Sequence, residues 1–224
     1  MCRAVVPPGK AVSVLPVMAD DVSVRHSREE AGVVFGFAAR AETLKGVSEL
    51  MEAFGLARQE DESVRLYAAC AGSKVGEMLE RAETLGAGSN FKHLGVYEGP
   101  DGRADFLRKI DVLILPSHTE GTPNSIVEAM AQGIPVIATA VGGIPDMLGC
   151  DAGLLVPVDD ARALADAMLR LAADPALRAS MGRAGRAHYE ATFSPKAVLP
   201  LLLKTYDRML GRENRETIPQ VAAV

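Results

Sequence analysis

A doubly wound parallel α/β sheet is the fold class this sequence predicts, and three observations carry the prediction. Short apolar runs alternate with helical patterns at a steady rhythm from about residue 32. The runs are continuously apolar, as strands covered on both faces are, and do not alternate with polar residues. Glycines and short polar loops separate one element from the next.

Taken in order, residues 1–31 carry "VVPPGK" and the charged "RHSREE" and are expected to be an irregular segment and linker. "VVFGFAA" (33–39) reads as the first strand. Residues 45–60 read as a helix, with Val47, Leu50, Met51, Phe54 and Ala57 at helical spacing. Strands are expected at 64–70, 91–95, 111–116, 135–139 and 152–157, and helices at 74–85, 102–110, 125–133, 144–149, 160–173 and 175–190. Gly133 is the expected C-terminal stop of helix 125–133. A last helix, 193–210, has Ser194 as its expected N-cap and Pro195 at its first position. Pro200 lacks an N–H and is expected to kink or restart it. Its two apolar flanks exceed one buried stripe, so it either packs on its own domain or offers a face to a partner domain. The domains expected are therefore the segment 1–31, a body over 32–193 and a terminal helix and tail over 194–224.

The composition narrows the function. The chain of 224 residues carries a net charge of -5, no Trp and 4% aromatic residues, so neither a basic nucleic-acid surface nor a base-stacking platform is expected. Cys2, Cys70 and Cys150 form no C-x-x-C pair, which argues against a zinc site or disulfide framework and for reduced thiols in a cytoplasmic chain. No apolar run reaches the ~20 residues of a membrane span. The opening residues lack the apolar core of a secretory signal.

In open α/β sheets ligands bind beyond the carboxyl ends of the strands, so the loops there hold the chemistry. The first, "GFAARAETLKGV" (36–47), places Arg40 and Lys45 before a helix that Gly46 opens, a pairing suited to an anion. Neither a G-x-G-x-x-G nor a P-loop pattern is present. The second, "PSHTEGTPNSIVEAMAQGIPVIAT" (116–139), sets Glu120 and Glu128 eight positions apart around a helix start. Asn124 is the expected N-cap, with the amides of Ser125, Ile126 and Val127 facing the crevice and Glu128 in the first turn. A carboxylate there is either a plain helix stabiliser or an acceptor for paired ribose hydroxyls. The third, "TAVGGIPDML" (139–148), has Gly142 and Gly143 for close backbone approach or positive φ. His118 is expected to be a polar strand-end residue without a catalytic role.

Together, "PSHTEGTPNSIVEAMAQGIPVIATAVGGIPDML" and the upstream "GFAARAETLKGV" resemble the nucleotide-sugar half of a retaining glycosyltransferase of family 4, an enzyme of the GT-B fold. Glu120 and Glu128 match that family's E-x7-E motif, and "AMAQGIPV" follows it as the family pattern requires. Arg40 and Lys45-Gly46 match its upstream G-R-x4-K-G, with Ala39 in place of the glycine. The likeness spans about residues 5 to 210. It implies a Rossmann-like donor domain in which Arg40 and Lys45 neutralise the diphosphate, Glu128 holds the ribose and Glu120 contacts the transferred sugar. Gly121, Thr122, Pro123, Asn124 and Ser125 would meet sugar and phosphates, with Gly142 and Gly143 beside them. Arg40, Lys45 and Glu120 would be the catalytic set. The donor would be a UDP- or GDP-sugar, and no metal or other cofactor is expected, in keeping with the absence of an Asp-x-Asp.

The resemblance also implies a missing N-terminal half, supplied in cis or by a partner chain, since "AVVPPGK" resembles the junction between the two halves. The isolated half is then expected to bind nucleotide and transfer nothing, in the cytoplasm or at the inner membrane face. Two other readings stay open: a non-catalytic nucleotide-sugar module, and an epimerase or phosphorylase on the same fold.

Overall fold

The computed structural model describes residues 15–19, 32–149 and 151–210. Six strands, β1 (Val34–Ala38), β2 (Arg65–Ala69), β3 (Phe91–Gly95), β4 (Val112–Leu115), β5 (Val136–Thr139) and β6 (Gly153–Val156), form one sheet in the order β3-β2-β1-β4-β5-β6. Every pairing is parallel. Eight α-helices accompany them among the described residues: α1 (Val47–Glu60), α2 (Val75–Thr84), α3 (Gly99–Leu107), α4 (Asn124–Ala131), α5 (Ile144–Leu148), α6 (Ala161–Ala173), α7 (Pro175–Thr192) and α8 (Pro195–Met209).

The period-2 geometry of each strand sends its residues to two cores. Phe35, Phe37, Val112, Ile114 and Ile137 face a layer built from α1, α2 and α6. Val34, Ala38, Leu113, Leu115, Val136 and Ala138 face α3, α4, α5 and the end of α7. Both faces are covered, which is why the central strands read as unbroken apolar runs. The edge strands β3 and β6 are only partly buried.

Three expectations about local structure are corrected. Helix α3 starts at Gly99, three residues before the expected 102, with Pro100 in its first turn where a missing N–H costs nothing. Helix α8 runs from Pro195 to Met209 with Pro200 inside it, so the restart expected there does not occur; the carbonyl that loses its donor belongs to the exposed Lys196, open to water. Pro123, not Asn124, precedes the first residue of α4, and no side chain caps that helix. Elsewhere the local chemistry acts as read. Ser194 caps α8 by accepting from the Ala197 amide at 3.2 Å, and Gly133 takes the left-handed conformation after α4. Of the opening segment only 15–19 is described. Ala19 packs on α7, its carbonyl accepting from the Tyr189 hydroxyl at 2.7 Å. Cys70 is a buried free thiol, and Cys2 and Cys150 lie outside the described residues.

Candidate functional site

Strand order reverses between β1 and β4, so the loops leaving these neighbours diverge and open a crevice at their carboxyl ends. The loop after β1 carries Arg40 and Lys45, and the loop after β4 carries Glu120. Arg40, Lys45, Glu120, Pro123, Asn124, Ser125 and Glu128 all line this one crevice of about 360 Å³, with Tyr97 on its rim. Residues 80 positions apart in sequence thus share a wall.

Backbone contact fixes the loops against each other. Gly46 has φ 67°, and a Cβ there would lie 2.0 Å from the Pro116 carbonyl oxygen, so only glycine lets the β1 loop meet the end of β4. Gly142 has φ 54°, and its Cβ would lie 1.8 Å from the Glu120 carbonyl oxygen. The Gly143 amide donates to the Gly121 carbonyl at 3.1 Å. Gly142 and Gly143 therefore support Glu120 and Gly121 from behind. They do not line the crevice, and neither do Gly121 and Thr122.

Lys45 Nζ lies 2.6 Å from Glu120 Oε1, an ion pair that bridges the two diverging loops. The Ser117 hydroxyl donates to the same oxygen at 2.7 Å, and Thr139 holds the Ser117 carbonyl in turn. Glu120 is thus aimed by three elements. Arg40 is exposed at the mouth.

Glu128 lies on the fifth residue of α4, past the first turn, so the expected macrodipole stabilisation does not apply to it. It faces α3. Arg103 Nη1 donates to Oε1 at 3.1 Å and the Tyr97 hydroxyl to Oε2 at 3.4 Å. The two charged side chains are 17% and 15% exposed. Burial pushes the Glu128 carboxyl above the ordinary carboxylate range, with the nearby Arg103 charge opposing it. Burial and the same carboxylate push the Tyr97 hydroxyl up to about 12, which keeps it a donor. Arg103 and Tyr97 were not singled out from the sequence. They stand 25 and 31 residues from Glu128 in no fixed motif, and only the parallel crossover joins them.

The start of α4 is also revised. The Ile126 amide donates to the Pro123 carbonyl at 3.2 Å and so is turned into the helix. Pro123 has no N–H, which leaves the Asn124 and Ser125 amides at the opening. Beside the crevice, and sharing Arg40 and Tyr97 with it, lies an apolar pocket of about 250 Å³ lined by Ala69, Cys70 and Val96. Its apolar walls suit a flat ring, and the polar crevice suits an anion with hydroxyls.

The family described as glycosyl transferases group 1 matches residues 32–174. A D-inositol 3-phosphate glycosyltransferase of Corynebacterium jeikeium is 34% identical over 92% of this chain and 51% of its own length. The sucrose-phosphate synthase of Thermosynechococcus elongatus superposes with TM-score 0.69 and 27% identity, over 82% of this chain and 47% of that one. The C-terminal domain of a glycosyl transferase group 1 family protein from Francisella tularensis superposes with TM-score 0.66 and 22% identity, over 71% of this chain and 85% of that one. The chain spans about half the length of the curated relatives it matches.

Proposed function

The chain belongs to the group 1 glycosyl transferases, and we propose that it is the donor-binding half of a retaining, metal-independent enzyme that moves a sugar from a nucleoside-diphosphate sugar to an acceptor. One observation carries this reading: Lys45 and Glu120 meet over the β1/β4 switch point, with Arg40, the start of α4 and Glu128 around the same crevice. Lys45 and Arg40 bind the diphosphate and stabilise the charge that grows on it as it leaves. The Asn124 and Ser125 amides add fixed dipoles aimed at the same oxygens. Glu128, already desolvated and steadied by Arg103 and Tyr97, accepts the ribose hydroxyls. Glu120 faces the transferred sugar once Lys45 turns from it to the phosphates. The base, of a UDP- or GDP-sugar, enters the apolar pocket by Cys70 and Val96.

An N-terminal half, in cis or as a partner chain, supplies the acceptor contacts, with residues 1–31 as the connection. Leu199, Leu203 and Tyr206 are exposed on α8 at i, i+4 and i+7 and form the apolar face such a half would cover. No helix of the described residues is long and apolar enough to cross a membrane. A cytoplasmic setting is proposed from the reduced-cysteine pattern, to which the buried free thiol of Cys70 belongs.

Calorimetry with nucleoside mono- and diphosphates tests the site. Lys45→Ala should lose most of the affinity gained from the second phosphate, whereas Glu128→Ala should weaken mono- and diphosphate alike. If both variants bind like the parent chain, the site lies elsewhere. Sugar transfer by the chain alone would contradict the half-enzyme reading.

A further inference from the structure

A second cluster of chemically capable side chains lies outside the crevice. Glu49 from the first turn of α1, His118 from the segment after β4 and Asp159 from the β6–α6 turn converge, their nearest ligand atoms all within 4.8 Å of one another. His118 Nε2 lies 3.3 Å from a Glu49 oxygen and 3.3 Å from an Asp159 oxygen. That nitrogen is sealed from solvent and makes no hydrogen bond to either.

A proton alone serves this arrangement poorly. An imidazole nitrogen carries one N–H, which can be shared with one carboxylate at good geometry, and here it is aligned with neither. If the nitrogen is unprotonated, its lone pair faces two anions. A cation between the three groups resolves both problems, and the spacing fits one. Donors at ~2.0–2.1 Å around a tetrahedral ion stand roughly 3.3–3.4 Å apart.

We propose that Glu49, His118 and Asp159 bind a divalent first-row transition metal, zinc being the tightest of the readily available ions. One imidazole nitrogen and two carboxylate oxygens make a mixed donor set of the kind imidazole-selecting metals prefer, and remaining positions go to water. None of the three residues lines the donor crevice. The ion acts as a clamp. It ties α1 and the β6–α6 turn to the segment that carries Ser117 and Glu120 on either side of His118, so its occupancy sets how firmly the β4 loop is held. This site is independent of the donor-binding proposal, because its test needs no nucleotide.

The test is a zinc titration of the chelator-stripped 224-residue chain, followed by calorimetry, with magnesium as the comparison ion. One equivalent should bind, and magnesium in large excess should not displace it. His118→Ala should weaken binding at least tenfold. Asp159→Asn should do so too, and it is the safer variant, since the side chain is 69% exposed and Asn tolerates the positive φ of this position. Both variants should melt at the parent temperature in chelator and lose only the metal-induced rise. Equal zinc affinity in the parent and both variants, or no binding by the parent at 100-fold molar excess, would overturn the proposal.

Discussion

Glu128→Gln should move stability and donor affinity in opposite directions. The glutamine keeps the shape and one acceptor for Arg103 and Tyr97 while removing the anion. Burial holds the Glu128 carboxyl above its ordinary value of 4.5, so in the folded state the charged form is disfavoured relative to the unfolded chain. A raised folded pKa contributes stability that is fully present below the unfolded pKa and is lost as pH rises through the folded one. The parent therefore carries a desolvation penalty at neutral pH that the glutamine variant does not. In urea melts the variant should gain on the parent as pH rises from the ordinary value of 4.5 through the raised folded one, then hold level. Affinity should fall. Hydrogen bonds to a charged acceptor contribute ~1.5–3 kcal/mol and neutral ones ~0.5–1.5 kcal/mol. The difference is about 1–1.5 kcal/mol per bond, so removing the charge that serves the two ribose hydroxyls costs about 2–3 kcal/mol, or roughly 30–150-fold in Kd. Calorimetry at pH 7.5 with a nucleoside diphosphate reads the affinity arm. Unchanged affinity, or a variant that loses stability relative to the parent as pH rises, would refute the role given to this carboxylate.

The remaining predictions concern backbone and thiol. Gly142→Ala puts a Cβ 1.8 Å from the Glu120 carbonyl at positive φ and should cost about 2–4 kcal/mol, with donor affinity reduced because the Glu120 loop must shift. Gly76→Ala, on α2 with open space around the new Cβ, should instead stabilise by ~0.5–1 kcal/mol and leave binding alone; thermal melts of the pair check the contrast. Burial pushes the Cys70 thiol up to about 11, so in a Cys2→Ser/Cys150→Ser background it should react slowly with a thiol reagent at pH 8 and promptly in denaturant. Comparable rates in both would contradict its burial.

The strands were legible because a sheet covered on both faces leaves no polar position: "VVFGFAA" and "DVLILP" announce β1 and β4 by themselves. The placing of Arg40, Lys45, Glu120 and Glu128 beyond strand ends was legible too, since the alternation of elements dictates which loops lie on the carboxyl side. What the residues could not declare was pairing across loops. That Lys45 would seek Glu120 depends on β1 and β4 being neighbours, a consequence of strand order. Arg103 and Tyr97 reach Glu128 only through the position of α3, whose Gly99-Pro100 start does not look helical in isolation. Pro123 and Asn124 show the same limit on a smaller scale. Asparagine favours the cap position, yet the extended φ and ψ of Pro123 (-68° and 122°) moved the helix start onto it. His118, read from the sequence only as a polar strand-end residue, stands beside Glu49 and Asp159, which no spacing connects to it.

Crystals of the chain soaked with a nucleoside diphosphate measure the central claim most directly. The diphosphate should lie within hydrogen-bond reach of Lys45 Nζ and the Asn124 and Ser125 amides, with both ribose hydroxyls on Glu128 and the Lys45–Glu120 pair opened. A nucleotide bound with its phosphates away from Lys45, or with its ribose remote from Glu128, would contradict the account.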